Sequence, residues 1–285
     1  MQKQYFMTLV LFVIIKSALA FSGKNHHKIG ETVVNHYVFK NYPLGDKEKN
    51  AFAKGCKFED YLRMLPIKAL NQHFYLSGKE LEHKRHFLRR IKLYCSELNR
   101  FKKSHDTLAF WFTAGRITHY FQDMACPPHV TPIYHKGGDK FDGIVLDTLV
   151  LALTDIYGSN IPSLSKKSLL DLLDYYAKRT EDSIQDTLTI FIDGKKVEVT
   201  WEYFWKKNVN NTKPKYFGSY GIVGNNFGTT NFAIKKTKNN SSSTNESIQY
   251  KVEKSEYDTF QNKRIVQALE ATAVILQFSY NLLHS

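Results

Sequence analysis

Of all the stretches in the 285-residue chain, the segment Gly115-Arg116-Ile117-Thr118-His119-Tyr120-Phe121-Gln122-Asp123-Met124-Ala125-Cys126-Pro127-Pro128-His129 most constrains how it can fold. The segment reads as helical, so His119 and Asp123, four residues apart, share one helix face. An imidazole nitrogen and a carboxylate oxygen placed together in this way are standard zinc ligands. Pro127 and Pro128 then end the helix, because proline lacks the amide donor and biases its predecessor away from helix. His129 is thereby swung to the same end as a third ligand, and the fold must bring other segments to this spot.

Two further groups of ligand-type residues fit that demand. His135 is followed by Lys136-Gly137-Gly138-Asp139-Lys140-Phe141-Asp142. A helix starting at His135 would make Asp139 its i+4 partner. Gly137-Gly138 favours a later start, with Asp139 as the N-cap and Asp142 turned inward, so Asp142 is preferred and Asp139 is the alternative. Upstream, Asp60 and His73 stand at the two ends of a connection that holds Pro66.

Apolar residues recur at helical spacing over roughly 26–40, 80–103, 105–125, 142–158, 164–188 and 256–283, which predicts an all-α multi-helix bundle. Between residues 189 and 255 the pattern changes. Alternation around Asp193-Gly194 predicts a β-hairpin, and the Asn/Ser/Lys run over 235–246 reads as a mobile surface loop. Near the start, the apolar run at positions 5–15 and Ala18-Leu19-Ala20 resemble a signal peptide cleaved after Ala20. A secreted or periplasmic domain over 21–285 follows. Cys56, Cys95 and Cys126 do not make a disulfide framework, since three thiols allow at most one bridge. The formal net charge of +13 suits an anionic partner such as a phospholipid surface or nucleic acid, and equally suits simple solubility of a lysine-rich chain.

With these motifs in place, the sequence resembles the superfamily of zinc-dependent phospholipases C and single-strand-specific zinc nucleases. These are all-helical enzymes with three clustered zinc ions. The resemblance rests most on His119, Asp123 and His129, where Gln-Asp-Met followed by Pro-x-His is more similar to the phospholipase branch. The superfamily binds one zinc through the amino group and carbonyl of its first mature residue, normally tryptophan. Here that residue would be Phe21, with His26 five positions on, a spacing similar to the nuclease branch. The resemblance implies one zinc on Asp60, His73, His119 and Asp123, and a second on Phe21, His26 and Asp123, with Asp123 bridging. The third would take His129, His135 and Asp142 or Asp139.

The expected activity is zinc-dependent hydrolysis of a phosphoester, with Asp60 as a candidate general base for the attacking water. Phospholipase C acting on glycerophospholipids at a membrane surface is the leading expectation. A nuclease or 3′-nucleotidase acting on single-stranded nucleic acid is the enzyme alternative, and a non-catalytic, metal-stabilised binding protein is the alternative of another class. No obligate protein partner is expected, and the chain is expected to be a monomer. Arg116 reads as a surface residue or, less readily, a phosphate contact. Phe110, Trp111, Phe112, Tyr120 and Phe121 read mainly as core.

Overall fold

A computed structural model of the protein describes residues 23–36, 43–62, 75, 82–131, 133, 138–142, 168–207, 218–235 and 247–285. Its helices, in chain order, are α1 (Gly23–His36), α2 (Asp46–Leu62), α3 (Glu82–Lys103), α4 (Thr107–Asp123), the single turn α5 (Pro127–Val130), α6 (Leu169–Ser183) and α7 (Lys254–His284). The expected helical bundle is present, with helices overlapping the predicted 26–40, 80–103, 105–125, 164–188 and 256–283. All but the first position of the helix expected over 142–158 lies outside the described residues, as does most of the 235–246 run.

Helix α4 is the hub. It is buried on nearly every side, with Phe110, Trp111, Tyr120 and Phe121 fully inside and α1, α2, α3 and α7 packed around it. Its start is fixed by Asp106, whose side chain accepts from the Ala109 amide at 3.0 Å.

Helix α2 is absent from the periodicity reading, and its residues explain why. The face it turns to α4 includes Phe52, Gly55 and Cys56, so the contact is built as much on missing bulk as on large apolar groups. A Cβ on Gly55 would stand 2.1 Å from the Phe112 carbonyl oxygen, and one on Gly115 would stand 2.1 Å from that of Phe52. The two backbones touch there, and only glycine permits it.

The predicted hairpin is present as β1 (Thr187–Ile192) and β2 (Lys195–Thr200), turned by Asp193 and Gly194 at φ 47° and 79°. Positive φ at both central positions matches the right-handed twist of the flanking strands. Strand β6 (Ser247–Val252) pairs with β1 and with β5 (Asn231–Lys235), which completes an antiparallel sheet in the order β2-β1-β6-β5. A two-residue pair, β3 (Trp205–Lys206) with β4 (Ser219–Tyr220), stands apart from it. Trp201, Phe204, Trp205 and Phe227 from this region pack on Tyr257 and Phe260 of α7. Phe141 inserts into the same cluster, 5.0 Å from Phe227 and 5.6 Å from Trp205 between ring centroids. The β region therefore braces the stretch that carries Asp139 and Asp142.

Gly55→Ala or Gly115→Ala should destabilise the protein by about 2 kcal/mol or more, because backbone cannot yield as a side chain can. Gly45→Ala, whose Cβ would meet only the Glu48 carboxylate at 3.5 Å, should change stability by less than about 0.5 kcal/mol. Urea denaturation of the three variants checks the contrast, and equal midpoints would contradict the close helix crossing.

Candidate metal centre

Three helices and a turn bring five ligand-type side chains to one buried place. His26 comes from α1, Asp60 from the end of α2, His119 and Asp123 from α4, and His129 from α5. None is more than 4% exposed. One ligand atom from each of His26, Asp60 and His119 lies within 4.8 Å of the others. Asp123 is the centre of the group: Oδ1 is 3.3 Å from His26 Nε2 and 3.9 Å from His129 Nε2, and Oδ2 is 3.3 Å from His119 Nε2. Asp60 Oδ1 stands 3.9 Å from His119 Nε2.

Two of the imidazoles are held from behind. His119 Nδ1 is 2.7 Å from the Cys56 carbonyl oxygen, which can only accept, so Nδ1 carries the proton and Nε2 faces inward as a lone pair in the neutral ring. His26 Nδ1 is 2.6 Å from Gln122 Oε1, while Gln122 Nε2 lies 2.9 Å from Thr272 Oγ1 on α7. Gln122 is a site residue that the sequence reading missed. Its position just before Asp123 was the only available signal, because its partners lie 96 and 150 residues away.

Pro127 and Pro128 do more than stop a helix. After an extended Cys126 they begin α5, with proline at its N1 position, and His129 rides on this new turn. The Tyr75 amide donates to the His129 carbonyl at 3.0 Å and ties a distant part of the chain to that turn.

Arg116 is neither on the surface nor poised for phosphate. Its Nε lies 2.7 Å from Glu59 Oε1 and its Nη2 2.6 Å from the Tyr94 hydroxyl, with the guanidinium over the Tyr94 ring. Tyr94 and Tyr120 each donate to Glu59 at 2.8 Å. The network pins Glu59, and with it the neighbouring Asp60.

Asp139 and Asp142 are both buried, but they differ in how they are held. Asp139 Oδ1 accepts from the Phe141 amide at 2.8 Å and Oδ2 from Trp205 Nε1 at 3.0 Å. Asp142 lies beside α1, its backbone carbonyl 3.4 Å from Asn25 Nδ2. Burial and both carboxylates raise the Tyr220 phenol well above its ordinary pKa. Phe21, His73 and His135 lie outside the described residues, as does the segment at 1–20. Among the described residues no helix is long and apolar enough to cross a membrane. No disulfide joins Cys56, Cys95 and Cys126.

The donors fit zinc. Imidazole nitrogens and carboxylate oxygens are its usual set, and two buried carboxylates facing inward require a compensating cation. The charge balance makes the same point. Burial disfavours a protonated His119, but Asp123 and then Asp60 outweigh it and hold that proton up to about pH 9. Burial would raise Asp123, but His129 and His119 drive its carboxyl well below the usual range. Zinc binding must therefore displace a tightly held proton, so affinity should tighten as pH rises toward 9.

The sign for the metal-free protein is opposite. A histidine whose folded pKa is raised from 6.5 to about 9 contributes stability that is complete below about pH 6.5 and lost as pH rises through 9. Chelator-treated protein should melt at a lower temperature at pH 9.5 than at pH 6, and zinc should remove most of the difference. Thermal melts across that window check this, and a flat metal-free profile would contradict the charge balance.

No curated protein and no solved structure matches the chain significantly. The family model described as zinc dependent phospholipase C matches residues 25–190, more than half of the chain and a span that includes every candidate ligand named above except Phe21. The chain belongs to the zinc dependent phospholipase C family.

Proposed function

We propose that the protein is a secreted phospholipase C that hydrolyses the glycerol-side phosphoester of glycerophospholipids, using zinc held at the buried cluster. The observation that carries the reading is the convergence of His26, Asp60, His119, Asp123 and His129 on one spot. The family match supports the same chemistry. Zinc bound there supplies Lewis acidity toward water and phosphoryl oxygen near neutral pH.

We assign the ligands as follows. Asp60, His119 and Asp123, with His73, would hold one ion. His26 and Asp123 would hold a second together with Phe21, and His129, His135 and Asp142 would hold a third. Asp123 suits a bridging role, since its two oxygens face different histidines at 3.3 Å. Asp142 is preferred to Asp139, because both Asp139 oxygens already accept from Phe141 and Trp205. Asp60 orients the attacking water and takes its proton through a carboxylate oxygen. Water adds to phosphorus, the bond to the glycerol oxygen breaks, and that oxygen leaves with the proton that Asp60 took from the water. The net positive charge of the chain draws the protein toward an anionic lipid surface.

The nuclease reading keeps one argument, the presence of His26 in the cluster at its nuclease-like spacing from Phe21. Zinc-loaded protein should release phosphorylated headgroup from choline phospholipid vesicles and leave single-stranded DNA intact. DNA cleavage without lipid hydrolysis would replace the phospholipase assignment. Asp60→Asn should lower turnover by about 100-fold or more in protein whose zinc content is measured alongside. Wild-type turnover in that variant would remove Asp60 from the chemistry.

A further inference from the structure

We infer that Gln122 and Thr272 form a relay through which the C-terminal helix α7 sets the tautomer of His26 and so prepares it as a zinc ligand. The inference rests on the reading of His26 as a ligand and adds positioning residues that lie outside the ligand set.

The direction of every hydrogen bond in the relay follows from its far end. Thr272 Oγ1 is 2.7 Å from the Ala268 carbonyl oxygen one turn back on α7. A carbonyl can only accept, so the single hydroxyl proton of Thr272 is given to it. Thr272 Oγ1 must then meet Gln122, 2.9 Å away, as an acceptor, which places the amide nitrogen of Gln122 on that side. The carbonyl oxygen of Gln122 is left facing His26 Nδ1 at 2.6 Å. An oxygen that can only accept requires the proton on Nδ1. In the neutral ring Nε2 is then the nitrogen that can bind zinc, and it faces Asp123 Oδ1, 3.3 Å away.

All four groups are buried, so no solvent competes for these bonds: His26, Gln122 and Thr272 are each 0% exposed, as is Ala268. Turning the Gln122 amide over would set its nitrogen against His26 and its oxygen against a hydroxyl already committed to Ala268. That arrangement would favour the tautomer with the proton on Nε2, which cannot bind a metal there. The relay therefore serves His26 as the Cys56 carbonyl serves His119, but with side chains from two helices in place of backbone. Outer-shell partners of this kind typically change metal affinity by about 10- to 100-fold when removed.

The test uses the full mature chain and zinc, with affinity read by competition against a chromophoric chelator. Gln122→Met keeps the volume and removes the acceptor, and it should weaken zinc binding by about 10- to 100-fold. Gln122→Glu keeps an acceptor toward His26, and because the Thr272 hydroxyl can turn from Ala268 to donate to the carboxylate, it should return the affinity to within a few-fold of wild type. Thr272→Val leaves every ligand in place but releases the Gln122 amide, and it should weaken binding in the same direction. Long-range proton–nitrogen spectra of the zinc-loaded protein should show the His26 proton on Nδ1 in wild type and Gln122→Glu. Melting of the metal-free proteins shows whether each variant folds, and if Gln122→Met does not, Thr272→Val decides.

Wild-type affinity in folded Gln122→Met, or in Thr272→Val, would overturn the relay. So would a folded Gln122→Glu as weak as the methionine variant. His26→Ala run in parallel separates the two levels of the argument. If it binds zinc as wild type does, His26 is not a ligand and the reading of the centre fails with the relay. If it weakens binding while Gln122→Met does not, the relay alone fails.

Discussion

The structure depends on one contact, the meeting of α2 and α4 at Gly55 and Gly115. Two helices whose backbones touch leave no room for a side chain between them, and their relative position is fixed far more tightly than interdigitated leucines would fix it. That closeness sets Asp60 opposite His119, and it brings the carbonyl of Cys56 within 2.7 Å of the His119 ring. A third backbone enters the same junction, because a Cβ on Gly30 of α1 would sit 2.7 Å from Cys56 Sγ. The helix that brings His26 is thus registered against the same point.

Electrostatics then makes the closely packed junction demand a cation. Asp123 is fully buried and faces three imidazoles, and Asp60 adds a second carboxylate. Without an ion the charge is met by a proton held on His119. The Glu59 network beside it is a different case. There Arg116 already neutralises the carboxylate and two tyrosines complete its hydrogen bonds, so that group is structural and satisfied. Two acids adjacent in sequence thus do separate work, Glu59 fastening the helix end and Asp60 facing the centre.

What could be read in the chain, and what could not, follows from the range of the interactions. His119 and Asp123 are a one-turn relation, and Asp193-Gly194 carries its own backbone preference, so both were legible locally. Helix α2 was not, because its packing face relies on glycine and small residues that hydrophobic periodicity does not register. Locally the prolines at 127 and 128 read as a stop, although proline is equally suited to the first turn of a new helix. The roles of Arg116 and Gln122 are not legible locally, because their partners are 22 to 150 residues distant. The brace formed by Trp205 and Phe227 around Phe141 escaped for the same reason.

Cys56 contributes to the centre through its main chain, while its thiol packs against the α1 crossing. A residue of this kind is invisible to side-chain scanning, since any small replacement keeps the carbonyl where it is. Sequence drift at position 56 among compact residues would leave the histidine's orientation unchanged. The feature is inherited through backbone shape, so it would persist in relatives that share no letter at this position.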